Sequence, residues 1–272
     1  MSSRGTGLTL MLGILAAIVG YIMIQMAIGM DTKVDDIPTI LANSSSNGAN
    51  IGIALVLIAV GLTIHAAGLM NTRGTAAGTA ESIGIYCIMT SILIWVVSTA
   101  FGFALIEMGD KFVSYLAGAT EAGAAAQATA AAAQAAAAAG NTAAAAEAGA
   151  QATGLQALYE AAMAAATATG IAAGFTQAAS VASNTIGSLL AGIGWISLGL
   201  AYRGSDAKGA LSFIPLWLLA IIAGLILVVS NLVINQVVDM ETASSISGIS
   251  FLLIVLWSVS RGLALINGKK LK

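Results

Sequence analysis

Six uncharged and largely apolar runs constrain this chain more than any other feature of its sequence. A membrane hydrocarbon core of about 30 Å is crossed by a helix of about 20 apolar residues. The runs cover residues 8–30, 51–70, 83–106, 186–202, 211–234 and 243–260. Only 8% of the 272 residues are charged, whereas a soluble domain carries about 25%. The sequence therefore predicts an all-α fold, a polytopic membrane helix bundle with six transmembrane helices.

The first run has some features of a cleaved secretory signal. Arg4 precedes it, and Ala27-Ile28-Gly29 has the small residues of a cleavage site. Its length of about 21 apolar residues exceeds the roughly 7 to 15 of a signal peptide. We therefore predict that this run is retained as the first membrane span.

The distribution of basic residues predicts the orientation of the spans. Lys and Arg near span ends are enriched on the cytoplasmic side. With the N-terminus in the cytoplasm, only Lys33 and Lys111 of the ten basic residues fall outside. The other eight fall inside or at the inner boundary: Arg4, Arg73, Arg203, Lys208, Arg261, Lys269, Lys270 and Lys272. We therefore expect a multi-pass protein of the cell membrane with both termini in the cytoplasm.

Acidic and aromatic residues agree with this orientation. Of the twelve acidic residues, only Glu81 and Asp206 fall inside, while Asp239 and Glu241 are among those outside. Amphipathic rings favour the headgroup level of a membrane. Four rings lie toward the inner ends of their spans: Tyr86, Tyr202, Trp217 and Trp257. We interpret these rings as interfacial anchors.

Residues 120–153 are more than half alanine, and they lie between the third and fourth runs. Alanine is the best helix former, and flexible linkers are instead rich in Gly and Ser. Thr120, Gln127, Gln134 and Asn141 recur every seven residues, which places one stripe along a helix and leaves a smooth alanine face. Gly140 begins a natural break between two helices. The pattern predicts a long Ala-rich extracytoplasmic helical hairpin, with helices over residues 111–139 and 142–183.

Two other interpretations of this stretch remain open. Residues 122–139 and 161–181 could form two further spans, for eight in total, with the connecting segment in the cytoplasm. That segment would carry no basic residue, and alanine methyl groups bury little apolar surface. The stretch could also be disordered or a fraying helix. With the hairpin interpretation, the chain divides into a first transmembrane half (1–110), the hairpin (111–183) and a second transmembrane half (184–272).

Two loops resemble each other. Residues 68–86 and 199–217 both leave a span, present Arg-Gly, turn through small residues and enter the next span. Residues 260–270 repeat the first part of this pattern. A parallel internal duplication would produce it, and so would the ordinary need of a short cytoplasmic loop for one basic residue and one glycine.

Candidate chemical groups are few. His65 lies within the second run, where an ionisable residue suggests function but more often hydrogen-bonds a neighbouring helix. One His and one Cys, Cys87, cannot complete a protein zinc site. The outer carboxylates Asp31, Asp35 and Asp36 could bind a hard cation, or they are solvated. Residues 43–50 (NSSSNGAN) contain a glycosylation acceptor sequence and otherwise read as a flexible turn. With no GxSxG, HExxH, Walker or GxGxxG pattern, we predict no enzyme, no catalytic, cofactor or metal residues, and no cofactor.

The remaining polar residues of the spans are uncharged, and such groups commonly join helices by hydrogen bonds. They include Gln25, Thr63, Ser91, Ser98, Asn231 and Asn235. Small residues four apart allow close helix contact, as at Gly13/Ala17, Ser188/Gly192 and Gly170/Gly174.

The sequence favours a non-catalytic integral membrane protein, either a structural or accessory subunit of a membrane complex or a self-assembling scaffold. Its partners would be the lipid bilayer and other membrane subunits or further copies of itself. A net charge of −2 gives no reason to expect nucleic acid. The alternative is a small channel or transporter for a neutral solute, in which the polar span residues would converge on one cavity.

Overall fold

The computed structural model describes residues 2–76, 78–204, 214–234 and 240–268, except for the side chains of 240, 241, 243 and 244. Several residues used above therefore lie outside the described residues: Asp206, Lys208, Asn235, Asp239, Lys269, Lys270, Lys272 and the start of the fifth run. The same holds for residues 205–213 of the second of the two similar loops.

The regular structure of the described residues is helical. The helices are α1 (Ser3–Ile28), α2 (Ile37–Ser46), α3 (Gly48–Met70), α4 (Thr79–Ala138), α5 (Thr142–Ala201), α6 (Leu216–Val229) and α7 (Met240–Ile266). A π-helical turn, Ser230–Ile234, continues α6. The predicted all-α class is confirmed for these residues.

Six of these helical segments are long and apolar enough to cross a membrane. They are Ser3–Ile28, Gly48–Met70, Thr79–Ala138, Thr142–Ala201, Leu216–Ile234 and Ser245–Ile266. Each contains or overlaps one of the six predicted runs, so the predicted number of such helices is confirmed. Two of them, α4 and α5, have 60 residues each because the alanine stretch continues the third and fourth runs as helix.

The chain packs into two compact units. The first comprises Met1–Val34, Ala49–Phe103 and Ala178–Lys272, and the second comprises Asp35–Gly48 and Ala104–Gln177. These units are defined by packing, whereas the three segments predicted above are defined by position in the sequence. The boundaries of those three segments stay predictions.

The core of the first unit is apolar and centred on two indole rings. Trp195 and Trp257 are 1% exposed and pack edge to face with ring centroids 4.9 Å apart. Aliphatic residues surround them: Leu10, Ile14, Leu62, Leu69, Ile85, Ile88, Ile92, Leu198, Leu216, Leu219, Leu227 and Ile254. Trp257 is therefore a core residue, and its interpretation as an interfacial anchor is wrong.

Helices of the first unit cross where glycines face each other. A Cβ built on Gly84 of α4 would lie 2.9 Å from the carbonyl oxygen of Gly194 on α5, and one built on Gly194 would lie 2.8 Å from that of Gly84. Such distances leave no room for a side chain, so the two backbones are in direct contact. The same arrangement recurs in three further pairs: Gly7/Gly262, Gly13/Gly61 and Gly192/Gly224.

Two of the three predicted small-residue pairs lie at close crossings. Gly13 and Ala17 face Gly61 of α3. Gly192 faces Gly224 of α6, and Ser188 is buried one turn before Gly192. The third pair is different. Its two glycines, Gly170 and Gly174, have only side-chain neighbours, 3.9 Å from a built Cβ, so this pair makes ordinary contacts.

In the second unit, α4 and α5 run antiparallel along an alanine seam. Their contacts are roughly symmetric about Asn141: Gly123 faces Tyr159, Gly170 faces Phe112, and Thr176 contacts Met108. The buried alanines are spaced seven apart on each helix: Ala119 and Ala126 on α4, and Ala166 and Ala173 on α5. The predicted polar stripe of Thr120, Gln127, Gln134 and Asn141 is exposed.

The turn between α4 and α5 uses the predicted break. Gly140 has a φ of +77°, which glycine adopts without the steric penalty of a Cβ. The Oδ1 of Asn141 accepts a hydrogen bond from the backbone N–H of Ala144 at 3.1 Å. This bond satisfies one of the free N–H groups at the start of α5.

Residues 43–50 are not the flexible turn that their composition suggested. Four of them end α2, and Asn47 alone separates that helix from α3. Ser44 is buried, and the Ser45 hydroxyl donates to Asp110 of α4 at 2.7 Å. Packing of α2 against α4 therefore overrides the loop preference of Ser and Asn. The Asn43 acceptor sequence lies on this packed helix.

The loop repeat is only partly reproduced. Gly74 and Gly204 each follow an arginine after a helix end, with φ values of +85° and +93°. By contrast, Arg261 and Gly262 lie inside α7, which ends at Ile266. The third occurrence of Arg-Gly therefore does not mark a helix exit.

Candidate functional site

A buried carboxylate organises the loop between α3 and α4. Glu81, in the first turn of α4, is 3% exposed. It accepts hydrogen bonds from the backbone N–H groups of Gly74 at 2.7 Å, Thr75 at 3.1 Å and Ala76 at 3.0 Å. A carboxylate held by consecutive N–H groups fixes the loop backbone, because hydrogen bonds to a charged group are stronger than neutral ones.

The hydroxyl of Thr75 connects this loop to two distant helices. It donates to Oε1 of Glu81 at 3.3 Å, accepts a hydrogen bond from Nη2 of Arg261 at 3.2 Å, and lies 2.7 Å from the hydroxyl of Tyr202. Because the single Thr75 hydrogen points to Glu81, the Tyr202 hydroxyl is the donor in the last contact.

Arg261 lies in the interior of the first unit, on α7. It is 0% exposed, and its guanidinium carbon lies 5.6 Å from the centre of the Tyr202 ring, within the range of a cation–π contact. Among the described residues, its Nε and Nη1 atoms have no hydrogen-bond partner. The same is true of Nε1 of Trp257, one turn earlier on α7.

We refer to Thr75, Glu81, Tyr202, Trp257 and Arg261 as the loop-end cluster. The sequence predicts that its two charged residues lie on the cytoplasmic side or at the inner membrane boundary, and that the spans hold no buried charge. The structure corrects this expectation, because Arg261 and Glu81 are buried. The missed signal is an Arg five residues before the end of a helix, on the same face as a Trp one turn earlier.

Of the polar span residues named above, Gln25, His65 and Asn231 do not come together. Gln25 is half-buried and hydrogen-bonds Tyr21 on its own helix. His65 is buried, with Nδ1 3.0 Å from the carbonyl oxygen of Leu10 on α1. The side-chain amide of Asn231 donates to the carbonyl of Leu227 at 2.8 Å and lies 3.5 Å from the Ser247 hydroxyl.

Other polar groups of the spans also bond locally. The hydroxyls of Thr63 and Ser98 donate to carbonyl oxygens one turn back in their own helices. Ser250 is an exception, because its hydroxyl donates to the carbonyl of Ala223 on α6 at 2.7 Å. Ser91 is buried without a partner among the described residues.

The outer carboxylates do not form a cation site. Oδ1 of Asp36 accepts a hydrogen bond from the backbone N–H of Thr39 at 3.3 Å, so this residue caps α2. Within the described ranges, no three His, Cys, Asp or Glu side chains gather where a metal could bind. Cys87 is half-buried on α4.

The loop-end cluster stabilises the loop between α3 and α4, and it carries hydrogen-bond donors that have no partner among the described residues. Glu81 receives four hydrogen bonds in the described part of the chain, which leaves it poorly suited to accept a proton from a substrate. The unpartnered atoms of Arg261 and Trp257 are N–H donors. Searches of protein-family models, of curated proteins and of solved structures find no match to this chain.

Proposed function

We propose that this chain is a non-catalytic integral membrane protein that serves as a structural or accessory subunit of a membrane complex, or as a self-assembling scaffold. The observation that carries the proposal is the separate engagement of Gln25, His65 and Asn231. Each bonds a different neighbour: His65 joins α3 to α1, whereas Gln25 and Asn231 bond residues one turn back in their own helical segments. A solute pathway would instead need polar groups that line a common cavity.

The packing of the first unit supports the same function. Trp195 and Trp257 fill its core, and backbone contacts such as Gly84/Gly194 join its helices. Cores of this kind have few alternative arrangements. A rigid bundle suits a protein that supports others better than one that opens and closes around a solute.

The helical hairpin of residues 111–183 would be the part that meets a partner. We place it outside the cytoplasm, on the side opposite to both termini. Ile171 and Phe175, one turn apart on α5, are 58% and 75% exposed. Both lie before the fourth apolar run, and exposed apolar neighbours outside a membrane often mark protein contacts.

Gentle solubilisation from native membranes, followed by native gel sizing and mass spectrometry, tests the proposal. We expect a reproducible stoichiometric partner or a homo-oligomer without solute flux in liposomes. A lone monomer would contradict the proposal. A homo-oligomer or monomer that conducts a neutral solute would favour the alternative, a small channel or transporter.

A paired variant tests the position of the contact. The double change Ile171→Ser and Phe175→Ser should release the partner or dissociate the oligomer. Leu158→Ser is the matched control, because Leu158 is also exposed on α5 but points to a different face of the helix. Equal retention of the partner by both variants would place the contact elsewhere.

A further inference from the structure

We propose that the loop-end cluster binds an oxyanion of the phosphate class through the N–H groups of Arg261 and Trp257. The phosphate would come from the headgroup of an anionic phospholipid or from inorganic phosphate. This proposal concerns residues of the first unit alone. It does not depend on whether the protein serves as a subunit, a scaffold or a channel.

The first argument is the state of the buried guanidinium. Arg261 is fully buried, and its hydrogen-bond partners among the described residues are the hydroxyls of Thr75 and Tyr202. Its Nε and Nη1 atoms are unpartnered in the described part of the chain. Buried polar groups are paired in the great majority of cases, and a buried charge without partners is strongly unfavourable. The residue is therefore suited to a ligand that supplies the missing acceptors.

The second argument is the chemistry of the unpartnered atoms, which are all N–H donors. The guanidinium and the indole carry donors and no acceptor. Arg261 and Trp257 lie four residues apart on α7, so they share one face of the helix. Both also flank Tyr202: its ring centre lies 5.6 Å from the guanidinium carbon and 6.4 Å from the Trp257 ring centre. A group rich in acceptors and poor in donors complements this set.

The third argument is that the nearby carboxylate is already engaged. Glu81 accepts three backbone N–H groups and the Thr75 hydroxyl, and it reaches Arg261 through that hydroxyl. Arg261 thus keeps donors and positive charge for a second anion. Arginine is the residue most often used for phosphate, because its planar donors match the phosphate oxygens.

The fourth argument is access. Thr75, whose hydroxyl covers Nη2, is an exposed residue of a short loop. An anion that approaches from this loop would meet the Thr75 side chain before the guanidinium, so binding requires that side chain to move. Arg73 and Arg203 are both exposed, one two residues before Thr75 and the other directly after Tyr202, and they would attract an anion to this end of the unit. The helix ends here correspond to headgroup depth if the six helices span a membrane.

The test uses the full chain, purified and delipidated in an uncharged detergent. Its unfolding midpoint is measured while inorganic phosphate replaces chloride at constant ionic strength. A second series uses nanodiscs of phosphatidylcholine with increasing phosphatidylglycerol. We expect the midpoint to rise and saturate in at least one series, since a ligand that binds the folded state stabilises it.

Three variants assign the effect to the cluster. Trp257→Phe keeps an aromatic ring beside Trp195 and removes one N–H donor, and Arg261→Gln removes the charge. Each should raise the half-saturating concentration by about tenfold or more, the effect of losing a hydrogen bond to a charged group. Lys33→Gln is the matched control, because it removes an exposed basic residue of the same unit that plays no part in the proposed site, and it should leave saturation within about twofold, as a screened surface charge does.

The outcomes distinguish the source of the anion. Saturation with phosphatidylglycerol alone identifies a lipid headgroup, and saturation with inorganic phosphate alone identifies a soluble anion. Saturation in neither series overturns the proposal. The proposal is also overturned if Trp257→Phe leaves the half-saturating concentration unchanged. If Arg261→Gln does not fold, Trp257→Phe alone is the test of the site.

Discussion

At the scale of single residues, Glu81 holds the loop between α3 and α4 within the loop-end cluster. Its carboxylate holds three consecutive backbone N–H groups, and it is therefore part of the loop's structure. This role explains the burial of an acidic residue that its position in the sequence would place in water.

Glu81→Gln should destabilise the protein by about 1–3 kcal/mol, because the neutral amide accepts more weakly and its NH2 group faces backbone donors. Thermal unfolding followed by circular dichroism in detergent measures the change. Glu107→Gln is the control, since it also removes one negative charge from α4 but at an exposed position. Equal stability of the two variants would show that the loop hydrogen bonds contribute nothing measurable.

The loop-end cluster also marks the limit of what the sequence could predict about single residues. The sequence predicts that Arg261 and Glu81 lie near helix ends, because both flank long apolar runs. It could not predict that Thr75, Tyr202 and Arg261 meet, since they are separated by more than 50 residues in every pair. Tertiary packing alone brings them together.

At the scale of helices, the paired glycines determine how closely the backbones approach. Gly194→Ala should destabilise the first unit by about 1–3 kcal/mol, the usual effect of overpacking, because the new methyl would meet Gly84 and Ile88. Gly248→Ala on α7 is the control. Nothing lies within 4 Å of a Cβ at that position, so alanine should stabilise the helix by about 0.5–1 kcal/mol.

Thermal unfolding of the two glycine variants should therefore shift in opposite directions. A stabilised Gly194→Ala protein would mean that α4 and α5 are farther apart than their backbone contact implies.

The turn before α5 gives a second prediction at this scale. Gly140→Ala should destabilise the chain by about 1–2 kcal/mol, because a φ of +77° places a Cβ against the following carbonyl. Gly149→Ala, on α5 with open space around it, should be stabilising by about 0.5–1 kcal/mol. Circular dichroism melts of both proteins provide the measurement, and a neutral Gly140 variant would argue for a looser turn.

The helices themselves were largely predictable from the sequence. Long apolar runs permit few structures other than a spanning helix, and alanine is the residue that most favours helix. Residues 43–50 were misread because Ser and Asn favour turns in isolation, whereas the contact of Ser45 with Asp110 stabilises a helix there.

At the scale of the whole molecule, we predict on which side of the membrane two segments of the chain lie. Residue 146 in the alanine stretch should react with a membrane-impermeant maleimide in intact cells, and residue 79 should react only after permeabilisation. The experiment uses Ala146→Cys and Thr79→Cys, each combined with Cys87→Ser, and both positions are exposed. Labelling of residue 146 only after permeabilisation would favour eight spans.

The facing glycines have a consequence for how this sequence can change over evolutionary time. Once Gly84 or Gly194 acquires a side chain, the two helices must separate, and a side chain at the other position then meets less resistance. The two substitutions should therefore be less than additive, so neither position drifts freely while its partner remains glycine. Related sequences are expected to carry glycine at both positions or at neither.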